Sequence, residues 1–226
     1  MDSVRIAQYT DLAGRAVLIA VFGFFTTTKT AALIALLQQP EGPRFLDLAA
    51  HLASVAFVAL IVVMTLIRLK PVRSAEGLEP RLTALGGTGL ALAIPLLPIA
   101  EIPASLQLTA LILILTGWVL SIYVLLWLGR SFSIMAQARS IVTTGPYAIV
   151  RHPLYLCEEL TIIGIAINYV SIEAILIVAL QWLLQLRRMT NEERVLRATF
   201  PDYEAYAKAT PKVIPRLFPK VRFGHA

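Results

Sequence analysis

Long apolar runs constrain this chain more than any other feature. Four of them, Ala16–Leu37, Leu46–Leu69, Leu82–Ala100 and Ser105–Leu128, fill most of the first 128 residues. Each is close to the roughly 20 residues that carry a helix across a hydrocarbon core. Two shorter runs follow, Leu154–Asn168 and Ile172–Leu186, separated by Tyr169-Val170-Ser171. They read as a tight helical hairpin. Fifteen residues rise only ~22 Å as a helix, so the count is six spans if the hairpin crosses and five if it does not. With 58% hydrophobic residues and 15% charged, lipid must be the solvent for part of the chain. The expected fold is an all-α, polytopic transmembrane helical bundle. It forms a single domain over residues 1–226, with N-terminal spans to residue 128 and a C-terminal region from 129 onward.

The charges orient the bundle. Of the 20 lysines and arginines, all but Lys29 and Arg44 fall on segments that share one side if the N-terminus is inside. Arg5 and Arg15 precede the first run. Arg68, Lys70, Arg73 and Arg81 follow the second, and Arg130, Arg139 and Arg151 follow the fourth. Nine more lie between Arg187 and Arg222. This bias predicts both termini in the cytoplasm, in the inner (plasma) membrane if the source is bacterial. The first run is long and carries Lys29, unlike a cleaved signal. The net charge of +6 is distributed as lipid contact requires, and no nucleic-acid-binding pattern is present. A lone cysteine, Cys157, excludes an intrachain disulfide. His51, His152 and His225 show no metal-ligand spacing.

The polar mass therefore gathers on one face, in the loop 129–153 and the tail 187–226. In the tail, Thr190 and Glu193 are spaced as a capping box, which predicts a helix start at Thr190. Asp202 can cap a second helix carrying Tyr203 and Tyr206. The loop holds Gly145-Pro146-Tyr147, then Arg151-His152-Pro153-Leu154-Tyr155. Pro153 suits the first position of a helix.

Taken singly, these residues have plain structural readings. Arg151, Arg187 and Arg188 fit ordinary positive-inside cations. Glu192 and Glu193 fit acids in a first helical turn, and Tyr203 and Tyr206 fit interfacial anchors. Glu158 and Glu159 lie one turn into their helix, within reach of headgroups, and Cys157 fits a small packing residue. Lys29 is costly in lipid and is expected to face the bundle interior.

Taken together, they resemble one family. Gln137, Gly145-Pro146-Tyr147, Arg151-His152-Pro153-x-Tyr155, a helical hairpin, Glu192-Glu193-x-x-Leu196, Phe200, Tyr203-x-x-Tyr206 and Pro215 stand in its order and spacing. It comprises the integral-membrane methyltransferases related to isoprenylcysteine carboxyl methyltransferase and phospholipid N-methyltransferase. The resemblance covers roughly Gly129 to Pro219. Cys157 and Pro201 stand where many members have glycine.

The resemblance implies S-adenosyl-L-methionine as methyl donor, held at the cytoplasmic membrane face. Cofactor-binding roles fall on Gln137, Gly145, Tyr147, His152, Pro153, Tyr155, Glu192, Tyr203 and Tyr206. Arg151, His152, Arg187 or Arg188, and Glu192 or Glu193 match the polar residues around cofactor and methyl acceptor. The acceptor implied is amphipathic or lipid-like, most like an isoprenylcysteine carboxylate, with a phospholipid amine as the alternative. A carboxylate acceptor needs no general base, whereas an amine must lose a proton, which makes His152 or a glutamate a candidate base. A non-enzymatic carrier or sensor is the other class. A carrier places polar groups at the bilayer midplane, where this chain offers only Lys29 and Thr26 to Thr28.

Overall fold

The computed structural model describes residues 3–40 and 42–215, with side chains from Leu12 onward. Among the described residues there are eight α-helices: α1 (Ser3–Leu37), α2 (Phe45–Ile67), α3 (Glu79–Gly89), α4 (Ala104–Leu128), α5 (Pro146–Ile149), α6 (Pro153–Ile167), α7 (Ile172–Thr199) and α8 (Tyr203–Ala209). Two-residue strands, β1 (Arg73–Ser74) and β2 (Gln137–Ala138), pair antiparallel. They fasten the segment after α2 to the loop after α4. The architecture is the expected helical bundle.

Among the described residues three segments are long and apolar enough to cross a membrane: Leu12–Leu37, Phe45–Ile67 and Ala104–Ser131. The sequence offers four runs of near-spanning length and a shorter hairpin, and the differences have local reasons. Within 82–100, Gly86, Gly87 and Gly89 weaken the helix and Pro95 and Pro98 punctuate it. The α-helix ends at Gly89 and tightens into a 3-10 turn over Leu90–Leu96. Helix α6 spans 15 residues, about 22 Å, short of a ~30 Å hydrocarbon core.

The hairpin turn lies where expected, between Ile167 and Ile172, and Ser171 caps α7 by accepting from the Ala174 amide at 3.1 Å. The helix start expected at Thr190 is absent. Helix α7 runs unbroken for 28 residues, without glycine or proline. Thr190 Oγ donates back to the Leu186 carbonyl at 2.9 Å, so it behaves as a mid-helix threonine. Glu192 and Glu193 therefore occupy a helix interior near its C-terminal end. The change from apolar to charged at Arg187 marks where one continuous helix leaves its apolar surroundings. Asp202 does precede α8, but its side chain makes no capping hydrogen bond.

Helix α4 packs along α6 and against α2, α1 packs on α2, and α3 packs on α7. The α4–α6 contact depends on Gly117. A Cβ there would stand 2.7 Å from the Thr161 amide nitrogen and 2.9 Å from the Cys157 carbonyl. Phe57 of α2 stacks on Trp118 of α4 with ring centroids 4.7 Å apart, and Ile61, Val124, Leu125 and Leu154 extend this core. Cys157 is buried in it.

One end of the bundle collects its cations. Arg15 donates to the Arg68 carbonyl at 3.4 Å, Arg130 donates to the Ile67 carbonyl at 2.9 Å, and Arg139 donates to the Leu69 carbonyl. The ends of α2 and α4 and the loop leading to α6 thus lie together. His51, inside α2, places Nδ1 2.9 Å from the Asp47 carbonyl of its own helix.

Candidate functional site

The site forms where the 139–152 loop meets the last three turns of α7. Gly145 adopts a φ of +58°, a backbone conformation that glycine reaches without steric cost. A Cβ there would lie 2.2 Å from the Trp127 ring, so the turn is pressed against the end of α4. Pro146 starts α5, and Pro153 is the first residue of α6, as expected from its fixed φ and missing N–H. His152 is left immediately before α6. Its amide donates to the Lys212 carbonyl at 3.2 Å, and the Arg151 amide donates to the Pro211 carbonyl at 2.9 Å. The segment after α8 thus straps this loop down.

Two carboxylates of α7 organise the side chains. His152 Nε2 lies 3.0 Å from Glu193 Oε1, and the other oxygen of Glu193 lies 3.3 Å from Arg151 and 3.5 Å from Arg197. Burial disfavours the Glu193 charge, but the His152 hydrogen bond and the charges of His152, Arg151 and Lys212 outweigh it. Its carboxyl is held below the usual range. An ionised carboxylate only accepts hydrogen bonds, so His152 Nε2 is the donor to Glu193. Glu192 accepts from the Tyr155 hydroxyl. Its carboxylate lies 3.4 Å from Arg188 Nε and 4.0 Å from His152 Nδ1. The Arg188 guanidinium sits 4.9 Å over the Tyr155 ring and donates to Thr88 of α3 at 3.1 Å.

Aromatic groups close the rest. Tyr206 donates to the Tyr147 carbonyl at 2.7 Å, and its ring meets that of Tyr203 at 5.8 Å. Burial, lessened by Arg151 and reinforced by Glu193, pushes the Tyr206 phenol up to about 12. Lys212 Nζ donates to Thr190 at 2.8 Å. Burial pushes its pKa down, Glu193 draws it back up, and Arg151 and Arg197 lower it further.

These groups border a cavity of about 440 Å³. Gln137, Tyr147, Arg151, His152, Tyr155, Arg188, Glu192, Tyr203 and Tyr206 line its polar end. Its other end runs between apolar side chains such as Phe22, Phe57, Ile61, Trp118 and Ile162. Lys29 borders the cavity but is largely exposed.

Of the residues singled out in sequence, Gly145, Pro153 and Glu193 support the lining without forming it. Gln137 is tied to Ser133 and Ser74. Arg187 points elsewhere: its Nε donates to Glu79 of α3 at 2.6 Å, and Asn191 donates to the same carboxylate at 3.0 Å. Between the two arginines left open, the cavity takes Arg188. Sequence reasoning missed Glu158, Gln185 and Lys212. Glu158 was legible through its i, i+3 spacing from Tyr155. Gln185 and Lys212 carried no local signal.

The residues fit S-adenosylmethionine. The buried Nε of Arg151 lacks a hydrogen-bond partner, which suits an added carboxylate. Four tyrosine rings at one end suit a cationic sulfonium.

Residues 110–198 match the Isoprenylcysteine carboxyl methyltransferase (ICMT) family. The match begins in α4 and ends in α7, so it spans the paired histidine and glutamates but not Tyr203 or Tyr206. The nickel-cobalt-cadmium resistance protein NccN of Alcaligenes xylosoxydans xylosoxydans is 38% identical over 82 residues, 36% of this chain and 38% of that protein. The cobalt-zinc-cadmium resistance protein CzcN of Cupriavidus metallidurans is 38% identical over 79 residues, 34% of this chain and 37% of that one. The protein-S-isoprenylcysteine O-methyltransferase of Schizosaccharomyces pombe is 38% identical over 98 residues, 39% of this chain and 41% of that one. The chain spans about two fifths of the length of the curated relatives it matches. The resemblance read from the motifs holds over residues 110–198, which match the family model within a helical membrane bundle.

Proposed function

We propose that this chain, with its ICMT-type core at residues 110–198, transfers a methyl group from S-adenosylmethionine to an amphipathic or lipid-like acceptor. One observation carries the reading. The cavity has a polar end, built by His152, Tyr155, Arg188 and Glu192, and an apolar end between the bundle helices. Such a cavity accommodates a charged donor and the tail of a lipid-like acceptor in one continuous space.

S-adenosylmethionine, when bound, supplies a methyl group already activated on a sulfonium. The protein therefore needs no nucleophile of its own. Arg151 and Arg188 would hold the donor's carboxylate, and the tyrosine rings would surround its cationic end. Glu193 fixes the His152 ring, and Glu192 fixes Tyr155 and Arg188, so the polar wall is set before any ligand arrives. Such preorganisation can contribute several kcal/mol, up to about 7–11. The apolar walls exclude water and align the acceptor's head with the polar end. The lysine and arginine distribution supports a cytoplasmic position for that end.

The metal-resistance names of two relatives describe those proteins. Among the described residues of this chain no three His, Cys, Asp or Glu side chains gather as a metal site would require.

Isothermal titration of the purified protein in detergent tests the reading. S-adenosylmethionine should bind, and S-adenosylhomocysteine should compete with it. Absence of heat and of competition, on protein shown to be folded, would overturn it.

A further inference from the structure

Helix α6 lines the cavity along one face, through Tyr155, Glu158, Ile162 and Ile165. Successive members are three or four residues apart, about 4.5–6 Å along the axis. The face passes from the polar end to the apolar end, and Glu158 is its last charged group. The other cavity-lining carboxylate, Glu192, is already engaged by Tyr155 and Arg188. Glu193, behind the wall, is engaged by His152, Arg151 and Arg197. Glu158 has no such partner. It lies within electrostatic reach of Arg188, which attracts it, and Glu192, which repels it. Among the described residues none is hydrogen-bonded to it.

A carboxylate lining this cavity without a hydrogen-bonding partner is costly, and the cost is relieved by a ligand that brings a cation to it. We infer that Glu158 selects the methyl acceptor, and that the acceptor's head carries a protonatable nitrogen rather than a carboxylate. This rests on the proposed reading of the cavity as a donor-and-acceptor site. The ammonium head donates to Glu158 and can pass a proton to it. The nitrogen lone pair is thereby freed, and Glu158 becomes a neutral carboxylic acid. A carboxylate head in the same position faces both Glu158 and Glu192, two like charges in a space of low dielectric.

The test uses the full chain in detergent micelles. A long-chain primary amine and a fatty acid of equal length are titrated in parallel, together with S-adenosylmethionine. The amine should bind at least tenfold more tightly than the acid. Glu158→Gln should abolish that preference while S-adenosylmethionine still binds. Glu159→Gln, a neighbour that does not line this cavity, should retain the preference. The inference is overturned if the amine binds no better than the acid in the unmodified protein, an outcome that needs no variant. It is also overturned if Glu158→Gln keeps the preference or loses the methyl donor instead. Failure of the unmodified protein to bind S-adenosylmethionine counts against the proposed function and leaves the amine-against-acid comparison to judge Glu158.

Discussion

His152 and Glu193 meet at 3.0 Å although 41 residues separate them in sequence. One stands at the entrance to α6 and the other in the penultimate turns of α7. The hairpin between them runs out along the bundle and back, so this contact closes the loop at its polar end. Arg151 reaches the second oxygen of the same carboxylate, and the strap at Pro211 and Lys212 holds the backbone of both loop residues.

His152→Ala and Arg151→Ala should therefore each lower methyl transfer at least tenfold, about 1.4 kcal/mol in transition-state terms. Glu192→Ala should do the same by releasing Tyr155 and Arg188. Turnover and melting temperature measured on the same preparations separate a site role from a folding role. If turnover falls only in proportion to unfolding, these residues are structural supports and nothing more.

Glu193 gives the pair a pH signature. Its pKa in the fold is lowered from the ordinary 4.5, so the fold binds its proton less readily than the unfolded chain does. The stability it contributes is complete above pH 4.5 and is lost as pH falls through the lower folded value. Lys212, whose pKa is also lowered in the fold, changes protonation on the alkaline side and leaves this window alone. The melting-temperature gap between unmodified protein and Glu193→Gln should be widest near neutral pH and close below pH 4.5. A gap that widens on acidification would contradict the assignment.

Much of this was legible in the chain itself. Gly145, Pro146 and Pro153 each impose a backbone choice that owes little to the surroundings, so the loop could be read directly. The pairing of His152 with one glutamate and Tyr155 with the other could not. It depends on how far α7 continues, and Thr190-x-x-Glu193 imitates a helix start when the residues before it are ignored. The third apolar run failed for a related reason: its hydropathy suits a span, while three glycines and two prolines decide its backbone. Arg187 and Arg188 are adjacent in sequence but lie about 100° apart around the helix, and only the packing of α3 shows which one faces the cavity.

The α4–α6 interface offers a test of packing alone. A methyl group added at Gly117 meets backbone atoms of Thr161 and Cys157 at 2.7 and 2.9 Å, which a rotamer change cannot relieve. Gly117→Ala should destabilise the bundle by at least the 1–3 kcal/mol typical of overpacking, seen as a lower melting temperature. An unchanged melting temperature would mean the two helices are not packed this closely.

Topology can be checked in intact cells. In a Cys157→Ala background, single cysteines placed at Ser140 and Arg44 should label oppositely with an impermeant reagent, Arg44 from outside and Ser140 only after the cells are opened. External labelling at Ser140 would put the polar end of the cavity on the wrong face.

The neighbouring arginines of α7 give the sharpest contrast. The Arg188 side chain is 7% exposed, packs over Tyr155 and reaches both Glu192 and Thr88. That of Arg187 is 52% exposed and pairs with Glu79. Arg188→Ala leaves Glu192 facing the cavity without its cation, and Arg188→Lys keeps the charge but loses the planar fork and the stacking. Both should weaken S-adenosylmethionine binding and turnover at least tenfold. Arg187→Ala removes a surface pair of the kind that contributes about 0–1 kcal/mol, so the protein should melt slightly earlier and still bind the methyl donor. Equal losses of binding from the two alanine variants would show that both arginines act on the cavity. A loss confined to Arg187 would reverse the face of α7 that builds it.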